Sequence, residues 1–256
     1  MYISYKHKLI FVHCRKAAGS SISCYLSKVG GSRDIQLSAI VETLELGTLP
    51  PLRTLCASVS NLTACKAFAK SLVAGMGLQN AIANGAKGSF RKRLGPKPQH
   101  ASAQLLREEF PTEWRDFNSF CVVRNSYDMA VSDYFWRTRS MDSPPSFYYY
   151  LCALKEKDSL GGVVPVGNYY NWPRYTTGGH VVVENVIRFE NLIEDIGVFF
   201  DRVQVPFHGL LPRLKSTHRP KGAQISNLSD FYDVKALKLV QELYEEEIEH
   251  FEFTVK

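Results

Sequence analysis

One stretch constrains this chain more than any other: Lys8-Leu-Ile-Phe-Val-His13-Cys-Arg-Lys16-Ala-Ala-Gly19-Ser20-Ser21-Ile22. The apolar run from Leu9 to Val12 reads as a buried parallel strand, and Ile22, Tyr25 and Leu26 recur after it at helical spacing. Between them lie small residues and one lysine. A strand, a small-residue loop and a helix in that order make an anion cradle. Small side chains let the backbone approach a phosphate, amides at the helix start point toward it, and Lys16 adds a point charge. The spacing differs from the usual P-loop, G-x-x-x-x-G-K-S/T, because Lys16 precedes Gly19 by three positions.

A second stretch, Phe120-Cys-Val-Val-Arg124-Asn125-Ser126-Tyr127-Asp128-Met129-Ala-Val-Ser132-Asp-Tyr134, puts an arginine at the end of another strand and a serine eight residues on, within the following helix. A guanidinium offers a planar fork of donors to a terminal phosphate, and a nearby hydroxyl can meet a further oxygen. The plainer reading of Arg124 is an ion pair with Asp128.

Together the two stretches resemble the sulfotransferases related to the carbohydrate 2-O-sulfotransferases of the heparan sulfate 2-O type. The first is similar to their 5′-phosphosulfate loop, F-V-H-x-x-K-x-x-G-S/T-S, and the second to their 3′-phosphate site, F-x-V-R-N-P-Y-D-R-x-V-S-x-Y. The resemblance implies a P-loop-like three-layer α/β/α sandwich around a central parallel sheet. It also implies 3′-phosphoadenosine 5′-phosphosulfate (PAPS) as donor substrate, without a metal. The donor would be held by Arg15, Lys16, Ala18, Gly19, Ser20 and Ser21 at its 5′ side and by Arg124 and Ser132 at its 3′ side. Lys16 would also act in catalysis.

Within Pro98-Gln-His100-Ala101-Ser102-Ala103, His100 resembles the family's catalytic base, although a histidine at the start of a helix also serves as a cap or packing residue. Arg188-Phe-Glu190-Asn-Leu192 is similar to the family's R-F-E-N-L, where Glu190 either orients His100 or caps the next helix. Ser126 and Met129 stand where the family has proline and arginine, and Glu247 where it has aspartate. The match leaves residues 27–97 and 140–178 unsupported.

At 256 residues, 45% hydrophobic and 22% charged, the chain suits a single α/β domain spanning 1–256, with a helical insertion at about 30–97. Within that insertion Leu55, Val59, Leu62, Phe68 and Leu72 recur at helical spacing, and a basic cluster (Lys87, Arg91, Lys92, Arg93, Lys97) closes it. The cluster reads as a solvated helical face, or else as a surface for an anionic acceptor or a membrane. A net charge of +6 is a mild bias toward anions, with no pattern that calls for nucleic acid.

Six scattered cysteines without C-x-x-C pairs read as reduced thiols, and no His/Asp/Glu cluster has metal-ligand spacing. With no apolar run long enough to span a bilayer and no signal peptide, the expected location is the cytoplasm.

The helix after Arg124 carries Tyr127, Val131, Tyr134 and Phe135 on one face, an expected core stripe. The Tyr-, Pro- and Gly-rich region from Arg137 to Tyr175, including Phe147 to Tyr150, Gly161-Gly162 and Asn168 to Tyr175, reads as loops over an acceptor site that binds a hydroxyl, favouring a glycan. Lys215 to Gly222 is similar in position and charge to the late basic loop that closes over the nucleotide in sulfotransferases. A last helix is expected with the face Val234, Leu237, Val240, Tyr244, Ile248 and Phe251. Two other functions fit the sequence: a nucleotide kinase with a degenerate P-loop, and a nucleotide- or glycan-binding protein without catalysis. Oligomeric state is not legible.

Overall fold

A computed structural model describes residues 1–158, 169–214 and 228–255. The Gly161-Gly162, Asn168 and Lys215-to-Gly222 readings therefore lie outside the described residues.

In chain order the elements begin with β1 (Tyr2–Ser4), β2 (Leu9–Val12), α1 (Gly19–Val29) and β3 (Ile35–Gln36). Four helices follow: α2 (Ile40–Glu45), α3 (Leu52–Ala57), α4 (Leu62–Val73) and α5 (Leu78–Leu94). Then come a 3-10 turn (Pro98–His100), α6 (Ala103–Glu109), α7 (Pro111–Asp116), β4 (Asn118–Val123), α8 (Ser126–Thr138) and α9 (Phe147–Glu156). The chain continues with α10 (Trp172–Tyr175), β5 (Thr176–Thr177), β6 (His180–Val181), β7 (Asn185–Arg188), α11 (Leu192–Arg202), α12 (Val234–Leu243) and α13 (Glu245–Phe251). The fold is α/β, and it divides into two compact units: Met1–Val123 with Pro173–Leu214, and Arg124–Trp172 with Lys215–Lys256.

The first unit is built on a five-stranded sheet ordered β3-β1-β2-β4-β7. β2, β4 and β7 are mutually parallel, with Phe11 opposite Phe120 and Val123 opposite Arg188. The expected parallel sheet is corrected at one edge, because β1 runs antiparallel to both β2 and β3. Four residues, 5–8, separate β1 from β2, too few for a parallel crossover, so a hairpin is the available connection. Strand β2 is wholly buried and Phe11 stacks on Phe120 at 4.8 Å between ring centroids. Ile22, Tyr25 and Leu26 pack inward from α1 as their spacing predicts.

Residues 30–97, read as a helical insertion, carry α2 to α5 but also β3, the edge strand of the main sheet, and the helical core is not the periodic one. Val59, Leu62 and Leu72 are exposed, and the buried face consists of small residues such as Ala64, Ser71, Ala81 and Ala86. A Cβ at Gly85 would lie 2.2 Å from the Ser58 carbonyl oxygen, and one at Gly88 would lie 3.1 Å from that of Thr63. The backbones approach too closely for larger side chains, so burial here follows small residues.

The second unit is helical. Tyr127, Val131 and Tyr134 are buried, in line with the core stripe read from the sequence. Phe147 to Tyr150 corrects an expectation: they open α9, capped by the Ser146 hydroxyl, and do not form a loop. Phe147 and Tyr150 point inward while Tyr148 and Tyr149 are exposed, a helical alternation hidden by four consecutive aromatics. The expected last helix is two, α12 and α13, broken at Tyr244, and Val234 is exposed. Inside this unit Arg137 and Asp133 form a 2.6 Å ion pair, each side chain at most 3% exposed, and the Tyr150 hydroxyl donates to the same carboxylate at 3.1 Å.

Candidate functional site

β2 ends at Val12, and the next residue, His13, turns its buried ring back over the start of α1. A Cβ at Gly19 would lie 2.0 Å from two atoms of that ring, so only glycine fits. The loop between is strained, with Lys16 at φ 59° and Ala18 at φ 55°, conformations that L residues avoid. Ala18 caps α1 with no side-chain hydrogen bond, and the first turn holds no acidic residue. The first i to i−4 bond runs from the Ile22 amide to the Ala18 carbonyl at 3.1 Å, so the preceding amides of Gly19, Ser20 and Ser21 face the helix end. Such an end, with half-buried Lys16 and Arg15 beside it in the chain, is suited to a phosphate or sulfate.

His100 belongs to the same unit. Its ring lies 4.7 Å from that of His13, and its Nδ1 is 3.3 Å from the His13 carbonyl oxygen. A carbonyl only accepts, so the neutral ring carries its proton on Nδ1 and presents Nε2 as the basic nitrogen. The His100 carbonyl in turn accepts a hydrogen bond from Arg174. The residue is half-buried, and burial holds its pKa well below the ordinary 6.5, with the Arg174 guanidinium pushing in the same direction. Hydrogen bonding to His13 opposes them. The charges acting on it (Arg174, the N-terminal amine and Arg15) are all cationic. Glu190 is exposed in the 3-10 turn Phe189–Asn191 and is not among those charges.

In the second unit Arg124 and Ser132 meet, as their spacing predicts. The Arg124 Nη1 donates to the Ser132 hydroxyl at 3.3 Å, while its Nε and Nη2 reach one oxygen of Asp128 at 2.6 Å. The ion pair with Asp128, the plainer reading of Arg124, is thus formed. Asn125 caps α8 and its amide donates to the Thr254 carbonyl at 2.7 Å. Ser126 is buried with its hydroxyl 3.4 Å from the buried Glu247 carboxylate, so two positions that depart from the resembled pattern contact each other. Met129 is buried too, its sulfur accepting from the Asn171 amide at 2.9 Å.

Of the basic cluster, Arg93 pairs with Glu109 at 2.6 Å and covers Phe110, while Arg91 and Lys92 are exposed in the last turn of α5, where they complement the helix dipole. Among the described residues, no group of His, Cys, Asp and Glu is arranged to hold a metal ion, and no helix is long and apolar enough to cross a membrane.

The sequence assigned His13 no role and marked Arg174 only as part of the aromatic stretch read as lying over an acceptor site. His13 lay within the quoted motif, and its contact with Gly19 is the missing signal. Arg174 sits in an aromatic-rich stretch with no pattern to mark it. No protein-family model, curated protein or solved structure matches the chain.

Gly19→Ala is expected to cost about 1–3 kcal/mol, because the methyl group must displace a ring already held against Phe11 and His100. Thermal unfolding of the purified variant measures this, and an unchanged midpoint would mean that the His13 ring moves freely.

Proposed function

We propose that the chain is a sulfotransferase that moves a sulfuryl group from PAPS to an acceptor hydroxyl, a glycan being the favoured class. The observation that carries this reading is the joining of the strained Lys16 loop to His100 through His13, which packs on Gly19 with its ring and meets His100 Nδ1 with its carbonyl. The finer fold assignment, a three-layer α/β/α sandwich of sulfotransferase type, and a cytoplasmic location belong to the same proposal.

The residues fit such a donor. The start of α1 lacks a carboxylate, and Arg124 with Ser132 would offer donors to a second phosphate. PAPS supplies the sulfuryl group. Lys16 and the amides of Gly19, Ser20 and Ser21 would hold its 5′ end, Arg15 and Ala18 would line the same loop, and Arg124 and Ser132 would hold the 3′-phosphate.

His100 would accept the acceptor's proton on Nε2 as the acceptor oxygen forms its bond to sulfur and the bond to the bridging phosphate oxygen breaks. Its lowered pKa keeps it unprotonated at neutral pH, the form that accepts a proton. Lys16 would meet the negative charge gathering on the departing oxygen, an interaction stronger in the transition state than before it.

Incubation with PAPS and a pool of desulfated polysaccharides, without magnesium, tests this. The expected result is acceptor-dependent release of 3′-phosphoadenosine 5′-phosphate, reduced by roughly a hundredfold or more in Lys16→Ala. Magnesium-dependent turnover of ATP in its place would support the kinase reading.

A further inference from the structure

The helices from α3 to α5 lie in a stretch with a one-sided charge pattern. Between Glu45 and Glu108 there is no acidic residue, while nine lysines and arginines fall there, so the rest of the chain nets to −3 against an overall +6. Within this stretch α4 and α5 are joined by a turn at 74–77, and residues 72–79, all uncharged, are exposed in succession. Val73 is 91% exposed, Leu78 60%, Met76 49% and Leu72 45%. Lys66 and Lys70 lie on the exposed stripe of α4 that ends in Val73, at positions i, i+4 and i+7, so cations stand one and two turns behind an apolar tip.

Part of the backbone of that tip is already satisfied. The amides of Ala74, Gly75 and Met76 donate to the carbonyls of Lys70, Leu72 and Ser71 at 3.0, 2.9 and 3.0 Å, and the Asn80 side chain donates to the Met76 carbonyl at 2.8 Å. This removes much of the cost of taking an irregular turn out of water.

We propose that the α4–α5 tip docks the protein on an anionic lipid surface, with Leu72, Val73 and Met76 entering the boundary between headgroups and acyl chains and Lys66 and Lys70 meeting the headgroups. A second copy of the chain would bring the same excess of cations against this one, so like charges oppose self-association here. A soluble polyanion would satisfy the lysines and leave the apolar tip in water. A bilayer surface with anionic headgroups satisfies both.

The test is flotation of the full chain with phosphatidylcholine vesicles and with two-to-one phosphatidylcholine–phosphatidylglycerol vesicles. The expected result is binding to the mixed vesicles alone, weakened by salt. Val73→Asp with Met76→Asp should abolish it, and Lys66→Glu with Lys70→Glu should lower it by roughly fivefold or more per residue. Val234→Asp, at an exposed apolar position in the other unit, should leave it unchanged. No binding to the mixed vesicles at low salt, or binding that survives Val73→Asp with Met76→Asp, would overturn the proposal. So would a dimer, seen by light scattering, that those two substitutions dissociate while vesicles are ignored.

Discussion

Replacing His100 with alanine is expected to cut sulfuryl transfer by about 10²–10⁴-fold while leaving binding of the nucleotide product nearly unchanged. The split follows from geometry. His100 contributes Nε2 to the acceptor side, and its one hydrogen bond through the ring goes to the His13 carbonyl, so its removal takes away no group assigned to the donor. The pH profile supplies an independent check. Burial and the charge of Arg174 lower the His100 pKa, so the base form persists as the pH falls through 6.5, and kcat/KM should decline only well below that value. In Arg174→Met the inflection should move up toward 6.5, because a cation that disfavours protonation is gone. A profile that falls at 6.5 in the wild type, or a full-rate His100→Ala enzyme, would remove His100 from the mechanism.

The second large effect is on stability. Asp133→Asn is expected to destabilise the helical unit by about 3–5 kcal/mol, because it leaves the Arg137 charge buried beside a neutral amide. The same carboxylate accepts from Tyr150, whose hydroxyl would lose a charged partner. Replacing both members by apolar residues, Asp133→Leu with Arg137→Met, should recover most of the loss, since the cost lies in an unpaired charge and not in the absence of the pair. Chemical denaturation of the single and double variants measures the difference. Equal destabilisation by the two would show that the pair itself contributes the energy.

The sequence was most legible where chemistry and periodicity agree. The apolar run before His13 and the small residues before Ile22 marked β2, the loop and α1, and the eight-residue step from Arg124 to Ser132 brought the two side chains together at the start of α8. It was least legible where small residues do the packing. In α4 and α5 the large residues with helical spacing, Leu62 and Leu72, face outward, because Gly85 and Gly88 bring backbones closer than a leucine allows. β1 and β3 escaped notice because three- and two-residue strands carry too few positions to show alternation. The break at Tyr244 lies inside an unbroken apolar period, and the step between His13 and Gly19 depends on side-chain direction, which spacing does not encode.

In the proposed function the two motifs serve one phosphosulfate donor. Calorimetric titration of the wild type and of Arg124→Ala with 3′-phosphoadenosine 5′-phosphate, without magnesium, tests it most directly. Tight binding to the wild type, weakened roughly ten- to a hundredfold by loss of the guanidinium, is the expected result. No binding, or binding of ATP alone and only with magnesium, would contradict it.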